Sequence, residues 1–123
     1  MKRAVVLIGH GSHLTKADDA IGRVVYSLRK KEPDTVVEIA FLEIRSPNIP
    51  ESIELVLSQG AEEVVLVPYF VQTGRHVVED VPKIVSEAQA KHPGEKIRLA
   101  EYLGFDERIV SVVYDRIRKA RER

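Results

Sequence analysis

The stretch AVVLIGHGSH (Ala4–His13) decides the fold of this chain. It begins with an apolar run, Ala4–Ile8, that does not alternate with polar residues, which is typical of a strand covered on both faces. The run stops at Gly9, and a histidine flanked by two glycines follows at once. In open α/β sheets, ligands bind beyond the carboxyl ends of the strands. The stretch therefore predicts a buried strand whose carboxyl end carries polar chemistry.

Three further apolar runs predict three more strands, and four stretches with helical spacing alternate with them. The other strands are predicted at Val36–Leu42, at Glu63–Pro68 and within Lys96–Leu103. The helices are predicted at Lys16–Lys31, at Glu51–Gln59, between a long loop (Tyr69 to about Val77) and His92, and after Asp106. The order βαβαβαβα predicts an α/β fold: a four-stranded parallel sheet flanked by helices on both faces, in one domain spanning residues 1–123.

Local signals place the ends and faces of these helices. Pro47 and Pro50 are expected to bracket a loop, and Gly60 is expected to end the second helix. Asp106 is a good N-cap for the last helix. The residues of that helix expected to face the core are Ile109, Val110, Val113 and Ile117.

Composition excludes several functional classes. Lys plus Arg and Asp plus Glu both number 19, so nothing suggests a nucleic-acid surface or a polybasic membrane patch. The absence of cysteine excludes disulfides and thiolate metal sites, and the cytoplasm is the expected compartment. The apolar run Ala4–Ile8 is too short to be a signal or membrane segment.

The loop after the first strand does not match the common nucleotide or hydrolase motifs. Its spacing is GxG followed by Ser-His, so the GxGxxG fingerprint is absent. Without a GxSxG elbow, Ser12 is a poor candidate for a hydrolytic nucleophile. His10 remains as the residue that can point into the mouth of the sheet. The alternative is a loop histidine whose ring is satisfied by backbone hydrogen bonds.

Two other titratable side chains are predicted at the same edge of the sheet. His76 lies in the long loop after the third strand, and Glu43 directly follows the second strand. The carboxyl ends of parallel strands meet at one edge, so His10, His76 and Glu43 are expected near one another. Two imidazoles and a carboxylate suit a first-row divalent metal, or an acid–base pair. The residue pattern alone leaves both open.

Three segments carry a resemblance to a known family. VVLIGHGSH, EIAFLEIRSPNIPESI and VVLVPYFVQTGRHVVEDVP resemble, in order, the hallmark segments of the small single-domain sirohydrochlorin cobaltochelatases, which are class II tetrapyrrole chelatases. The resemblance implies a single chelatase-like domain that inserts Co²⁺ into sirohydrochlorin for cobalamin-type cofactors. Ni²⁺ is the second candidate metal, and Fe²⁺ for sirohaem is an alternative. The metal is a substrate, and no permanently bound cofactor is implied.

The resemblance also implies site residues and an assembly. His10 and His76 would handle the metal and act in catalysis, and Glu43 would be the acidic catalytic partner. Metal insertion removes two pyrrole protons, and histidine suits the role of base. A 123-residue domain offers one open rim to a large flat ring, so two copies facing each other as a homodimer are expected to enclose it.

Sirohydrochlorin is a flat ring with apolar faces and carboxylates around its edge, so its site needs an apolar slot and a basic rim. Candidate substrate-binding residues are Gly11 and Ser12 through their amides, Leu14, Tyr69, Phe70 and Val71 as the slot, and Arg45 and Arg75 at the rim. Tyr69 and Phe70 are equally compatible with the core, and the two arginines with ordinary surface charges.

Other functions remain compatible with parts of this pattern. A metal-independent lyase or isomerase could use His10 and His76 as an acid–base pair, and divalent-metal dependence separates it from a chelatase. A non-catalytic carrier would bind tetrapyrrole or metal without accelerating their combination. A receiver-like signalling module needs an acidic cluster after the first strand, where this chain has GHGSH.

Overall fold

The fold is described from a computed structural model of the chain, covering residues 1–11, 19–42 and 45–123. Within these residues strands and helices alternate strictly, as predicted. The strands are β1 (Arg3–Gly9), β2 (Thr35–Phe41), β3 (Glu63–Pro68) and β4 (Lys96–Leu99). The helices are α1 (Asp19–Lys31), α2 (Ile49–Ser58), α3 (Arg75–Lys91) and α4 (Glu107–Arg121).

The strands form one parallel sheet in the order β2-β1-β3-β4. Gly9 at the end of β1 is in register with Phe41 at the end of β2, and Ile8 is in register with Pro68 at the end of β3. The carboxyl ends of these three strands therefore lie at one level. The chain segments that follow them emerge side by side, which is the arrangement that the candidate site requires.

Helices cover both faces of the sheet, so the predicted fold class is confirmed. On one face, Ile21 and Val25 of α1 pack against Leu7 and Val37. On the other face, α2 and α3 enclose the larger core around Val6, Ile8, Ile53, Leu66 and Val81, each at most 1% exposed. The apolar run Ala4–Ile8 of β1 lies between the two layers, which explains why its sequence does not alternate.

Helix α2 begins at Ile49, two residues before the predicted start at Glu51. Asn48 and Glu51 form a capping box: the Asn48 side chain accepts from the Glu51 amide, and the Glu51 carboxylate accepts from the Asn48 amide. Pro50 was expected to bound a loop, but it lies in the first turn of the helix, where a missing N–H costs nothing. Gly60 follows the helix with φ +94°, as its predicted role in helix termination requires.

Helix α3 begins at Arg75, so the prediction that the loop extends to about Val77 is wrong. The helix starts after Gly74, which has extended backbone angles. The physical reason for the early start is that Val77 lies one helical turn before Val81 and packs on the same core. One additional turn of helix therefore buries more apolar surface.

Helix α4 corrects a second prediction. Asp106 is its N-cap, as expected, but every residue of α4 lies in the described part of the chain and none of them is buried. Val110, Val113 and Ile117 were expected to face the core and are instead 46%, 52% and 44% exposed. The apolar spacing of this helix was identified correctly, whereas the surface that it covers was not.

Candidate functional site

The first residues beyond β2 and β3 are tied to β1 by backbone hydrogen bonds. The Leu42 amide donates to the Gly9 carbonyl, and the Tyr69 amide donates to the Ile8 carbonyl, both at 2.8 Å. These bonds continue the sheet ladder past the ends of β2 and β3. They fix the position of His10, which comes directly after Gly9, between the two neighbouring segments.

His10 is exposed at this edge, and its ring rests on Phe70. The two ring centroids are 4.1 Å apart and the planes are inclined by 36°. Phe70 is only 3% exposed, and its carbonyl accepts from the Gly104 amide at 3.2 Å. A buried, fixed ring thus supports one side of the imidazole while the rest of it faces solvent. Phe70 is a core residue, which was the alternative interpretation of its place in the sequence.

The two glycines around His10 have different roles. Gly11 has φ +87°, a left-handed conformation that favours glycine and turns the chain sharply after His10. Gly9 belongs to β1, and a Cβ atom built there would lie 3.3 Å from the Ile21 side chain. Gly9 therefore lets α1 pack closely on the sheet, while Gly11 shapes the loop.

The second histidine of the candidate site, His76, is the second residue of α3, and its side chain is outside the described part of the structure. Its helix starts seven positions after the end of β3, at the same edge as His10. Arg75 precedes it, is exposed, and donates to Glu79 at 2.9 Å along the helix. Because that partner lies on the same exposed surface, the guanidinium can exchange it for another carboxylate at little cost.

The remaining predicted substrate-binding residues differ in exposure. Val71 is 54% exposed at the tip of the loop after β3. Tyr69 is half-buried and packs beside the α1 layer. Arg45 is half-buried as well, with its guanidinium carbon 4.6 Å from the centre of the Phe41 ring. Its cationic head is therefore held at the end of β2 and is not an ordinary surface charge.

The loop that carries Arg45 is anchored by Glu51. The Glu51 carboxylate accepts from the Asn48 amide at 2.8 Å and from the Ser46 hydroxyl at 3.0 Å. These hydrogen bonds, the backbone one first, lower the pKa of the Glu51 carboxyl below its ordinary value. The Phe41 amide also donates to the Pro47 carbonyl at 2.8 Å, which joins the loop to β2.

Three predicted site residues, Ser12, Leu14 and Glu43, lie outside the described residues. Among the side chains that are described, no group of three His, Asp or Glu residues is arranged to hold a metal ion. His10, Gly11, Tyr69 and Phe70 are brought together by the geometry reported above. The joint arrangement of His10, His76 and Glu43 remains a prediction.

The structure adds an apolar cavity of about 290 Å³ at the same edge, between the ends of β3 and β4 and the first turns of α3. Its lining includes Thr73, Val77, Val78, Leu99 and Tyr102, and Glu101 is its acidic residue. The segment EYLGF (residues 101–105) follows β4, and no residue of it is among the predicted site residues. The rule that placed His10, namely that chemistry follows the strands, would also have selected Glu101 and Tyr102.

Comparison with known proteins identifies the family. The family model CbiX matches residues 4–120, which is nearly the entire chain. The chain belongs to the CbiX family. This match covers both the loop of His10 and helix α3, and the resemblance inferred from the three sequence segments is confirmed.

Curated relatives of the CbiX chain fall into two lengths. It is 31% identical to the sirohydrochlorin cobaltochelatase of Methanococcus aeolicus, over 92% of this chain and 96% of that protein. It is 30% identical to the sirohydrochlorin ferrochelatase of Bacillus subtilis, over 96% of this chain but only 45% of that protein. The chain thus spans nearly all of the first relative and about half of the second.

Solved structures show the same two lengths. A crystal structure of the sirohydrochlorin chelatase from Bacillus subtilis subspecies spizizenii, in complex with cobalt, matches with a TM-score of 0.82 and 31% identity, over 97% of this chain and 51% of that one. A CbiX protein from Marinobacter aquaeolei matches with a TM-score of 0.81 and 27% identity, over 98% of both chains. In the described part of this chain, no helix is both long and apolar enough to span a bilayer.

Proposed function

We propose that this chain is a sirohydrochlorin chelatase that inserts a divalent metal, Co²⁺ in the first place, into the tetrapyrrole. The observation that carries the proposal is His10. It stands exposed at the carboxyl end of a central strand, supported by a buried aromatic ring, in a chain of the CbiX family. Residues 1–123 would act as one chelatase domain.

The reaction replaces two pyrrole protons of the macrocycle with one divalent metal ion. It therefore needs a ligand that delivers the metal and a base that accepts protons. An exposed imidazole can serve in either role, because its neutral form has one nitrogen lone pair available. His10 and His76 would share these roles, and Glu43 would take a proton onward or offset the charge of the metal.

A small number of strong metal ligands at this edge of the sheet favours metal insertion. A closed site with four protein ligands holds its metal permanently, whereas a chelatase must release it to the macrocycle. Imidazole suits both Co²⁺ and Ni²⁺, so the ligand type alone does not choose between them. The cobalt complex of the Bacillus subtilis subspecies spizizenii relative supports Co²⁺ as the first candidate.

The described residues offer both features that the macrocycle requires. Exposed Val71 and the half-buried Tyr69 would provide apolar surface at the same edge of the sheet as His10. Arg75 begins α3, and Arg45 lies in the loop after β2 over the Phe41 ring, where bidentate pairing with substrate carboxylates would orient the macrocycle. We propose these contacts, together with those of Gly11, Ser12, Leu14 and Phe70, as the substrate site.

A second copy of the chain would complete the site. The 290 Å³ cavity lies at the lower end of the range for ligand pockets and is too small to enclose a tetrapyrrole. This chain covers only about half of its Bacillus subtilis relatives, so each of those chains has room for a second unit of this size, which supports a homodimer for the short form. We expect the two rims to face each other and to bind one macrocycle per dimer.

A spectrophotometric insertion assay tests the proposal. Sirohydrochlorin is mixed with Co²⁺, Ni²⁺ or Fe²⁺, with and without protein, and the uncatalysed rate is subtracted. We expect the largest acceleration with Co²⁺. Binding of sirohydrochlorin without any acceleration would instead identify a carrier, and acceleration with Fe²⁺ alone would identify a ferrochelatase of the sirohaem route.

A further inference from the structure

His10 continues the alternation of β1 past the end of the strand. Leu7 packs in the layer of α1, and Ile8 packs in the larger core under α2 and α3. Alternation along an extended chain directs His10 toward the same face as Ile8. Its ring contact with Phe70, which belongs to that larger core, shows that it takes this direction. The imidazole is therefore held on the face of the sheet that α2 and α3 cover.

The backbone around Phe70 is held from two sides. The Tyr69 amide donates to the Ile8 carbonyl at 2.8 Å, and the Phe70 carbonyl accepts from the Gly104 amide at 3.2 Å. The first hydrogen bond joins the loop after β3 to β1, and the second joins it to the turn after β4. Tyr69 and Phe70 also pack on opposite faces of the sheet, which fixes the orientation of this short segment. The ring under His10 is therefore anchored through both neighbouring strands of β3.

Gly104 makes its hydrogen bond to Phe70 in a conformation that favours glycine. Its φ is +55°, in the left-handed region. A Cβ atom built there would lie 3.3 Å from Cε2 of the Tyr102 ring, which is a tight contact. At the start of the same turn, the Ala100 amide donates to the Leu66 carbonyl of β3 at 2.8 Å. The turn after β4 is thus attached to the sheet at its start and to Phe70 at Gly104.

We propose that Phe70 and Gly104 are positioning residues for metal insertion: the Phe70 ring holds the His10 imidazole, and Gly104 holds Phe70 from the turn after β4. This inference rests on the proposed function. A histidine side chain on an exposed loop has several rotamers, and only some of them direct a ring nitrogen at the substrate. A misplacement of about 1 Å at a reacting group can cost on the order of 100-fold in rate. Fixing the imidazole on a buried ring avoids that loss.

Two glycines with positive φ give a matched test. Gly60, with φ +94°, lies just before β3, at the opposite edge of the sheet from Gly104. Gly104→Ala and Gly60→Ala should both lower the melting temperature, because each strains the backbone. Only Gly104→Ala should lower kcat for Co²⁺ insertion, by about fivefold to tenfold, with KM for sirohydrochlorin within about twofold. A wild-type kcat in Gly104→Ala, or an equal loss of kcat in Gly60→Ala, would overturn the role of Gly104.

The role of Phe70 is tested by removing or keeping its ring. Phe70→Leu keeps a buried apolar side chain without the ring and should lower kcat about tenfold or more, whereas Phe70→Tyr should stay within about threefold of wild type. Ile53→Val is the matched control for lost core packing: Ile53 is 1% exposed on α2, and this change should lower the melting temperature but not kcat. Equal kcat in the two Phe70 variants, or an effect of Phe70→Leu on KM alone, would overturn the role of the ring.

Nuclear magnetic resonance of the full chain reports the position of His10 without the insertion reaction. An aromatic ring displaces the resonances of protons that lie over it, so the imidazole C–H resonances of His10 depend on its contact with Phe70. Gly104→Ala and Phe70→Leu should both move them, and Gly60→Ala should not; the resonances of His92, beyond the end of α3, are the internal reference. Unmoved His10 resonances in Gly104→Ala would overturn the inference. Wild type that shows this coupling but no insertion activity would instead refute the chelatase.

Discussion

Helices α3 and α4 have similar apolar spacing, but only α3 buries its apolar residues. Val81 and Val85 of α3 are 1% and 6% exposed under the sheet, whereas Val110 and Val113 of α4 are 46% and 52% exposed. The comparison shows that the spacing of apolar residues identifies the apolar face of a helix. It does not identify the surface that packs against that face. For α3 that surface belongs to the same chain, whereas no residue of α4 is buried.

The largest difference in the free energy of unfolding is expected when isoleucine is replaced by alanine at a buried position and at an exposed position. Ile53→Ala on α2 removes a side chain that is 1% exposed, and should lower the free energy of unfolding by about 2–5 kcal/mol. Ile117→Ala on α4, at 44% exposure, should change it by no more than about 0.5 kcal/mol. Urea titration, at a protein concentration low enough for the chain to be monomeric, measures both. Equal losses would show that α4 is packed within its own chain.

The candidate catalytic edge can be compared with the opposite end of the molecule through the histidines. His10→Ala and His76→Ala should each reduce the insertion rate by about 100-fold or more, as expected for loss of a ligand or base, with little change in melting temperature. His92 closes α3 and pairs with Glu54 at 2.6 Å, away from the strand ends. His92→Ala should therefore keep the insertion rate within about twofold. Near-normal turnover of His10→Ala would remove that residue from the site.

Substitutions of the N-cap residues of α2 and α4 should show a smaller difference in stability. Asn48→Ala breaks the capping box of α2, and because α2 packs on the core, the whole fold should lose about 1 kcal/mol. Asp106→Ala removes the equivalent side chain from α4, where the loss should remain local. Hydrogen exchange distinguishes the two: the first change should accelerate exchange throughout the core, the second only in the first turns of α4. Core exchange accelerated by Asp106→Ala would contradict this account.

The smallest effect is expected when the pH is lowered and the stability of α4 is followed. Hydrogen bonds from the Arg108 side chain, and then from its backbone amide, hold the pKa of the Asp106 carboxyl well below its ordinary value of 3.8. A lowered folded-state pKa contributes stability that is present above the unfolded value and is lost as pH falls through the folded one. Asp106→Asn keeps the cap without the charge, so its α4 amide exchange should respond less to pH below 4 than that of wild type. Identical pH responses would show that the carboxylate charge does not stabilise α4.

Much of the fold could be predicted because local patterns and the core agree. The strands were evident from their apolar runs, of which that in β1 does not alternate with polar residues, and Gly60 and Asp106 were recognisable helix ends. The start of α3 was missed because Val77 completes a turn only when there is a core to receive it. The position of α4 was missed because a single sequence does not state which molecule covers an apolar stripe.

Less of the candidate site than of the fold could be predicted from the sequence. His10 at the end of β1 followed from topology, and the position of Phe70 beneath it did not, because a buried and an exposed aromatic residue look alike in sequence. The contact of Arg45 with Phe41 depends on a loop geometry set by Glu51. Glu101 and Tyr102 could have been selected as candidates by applying to β4 the rule that polar chemistry follows the strands.

The central claim is that the strand ends of two copies form one working site. Its most direct test is the Co²⁺ insertion rate per chain, measured across a dilution series in which sedimentation gives the dimer fraction. The rate per chain should fall in proportion to the dimer fraction. A rate per chain that remains constant from dimer to monomer would contradict the account and leave each chain to work alone.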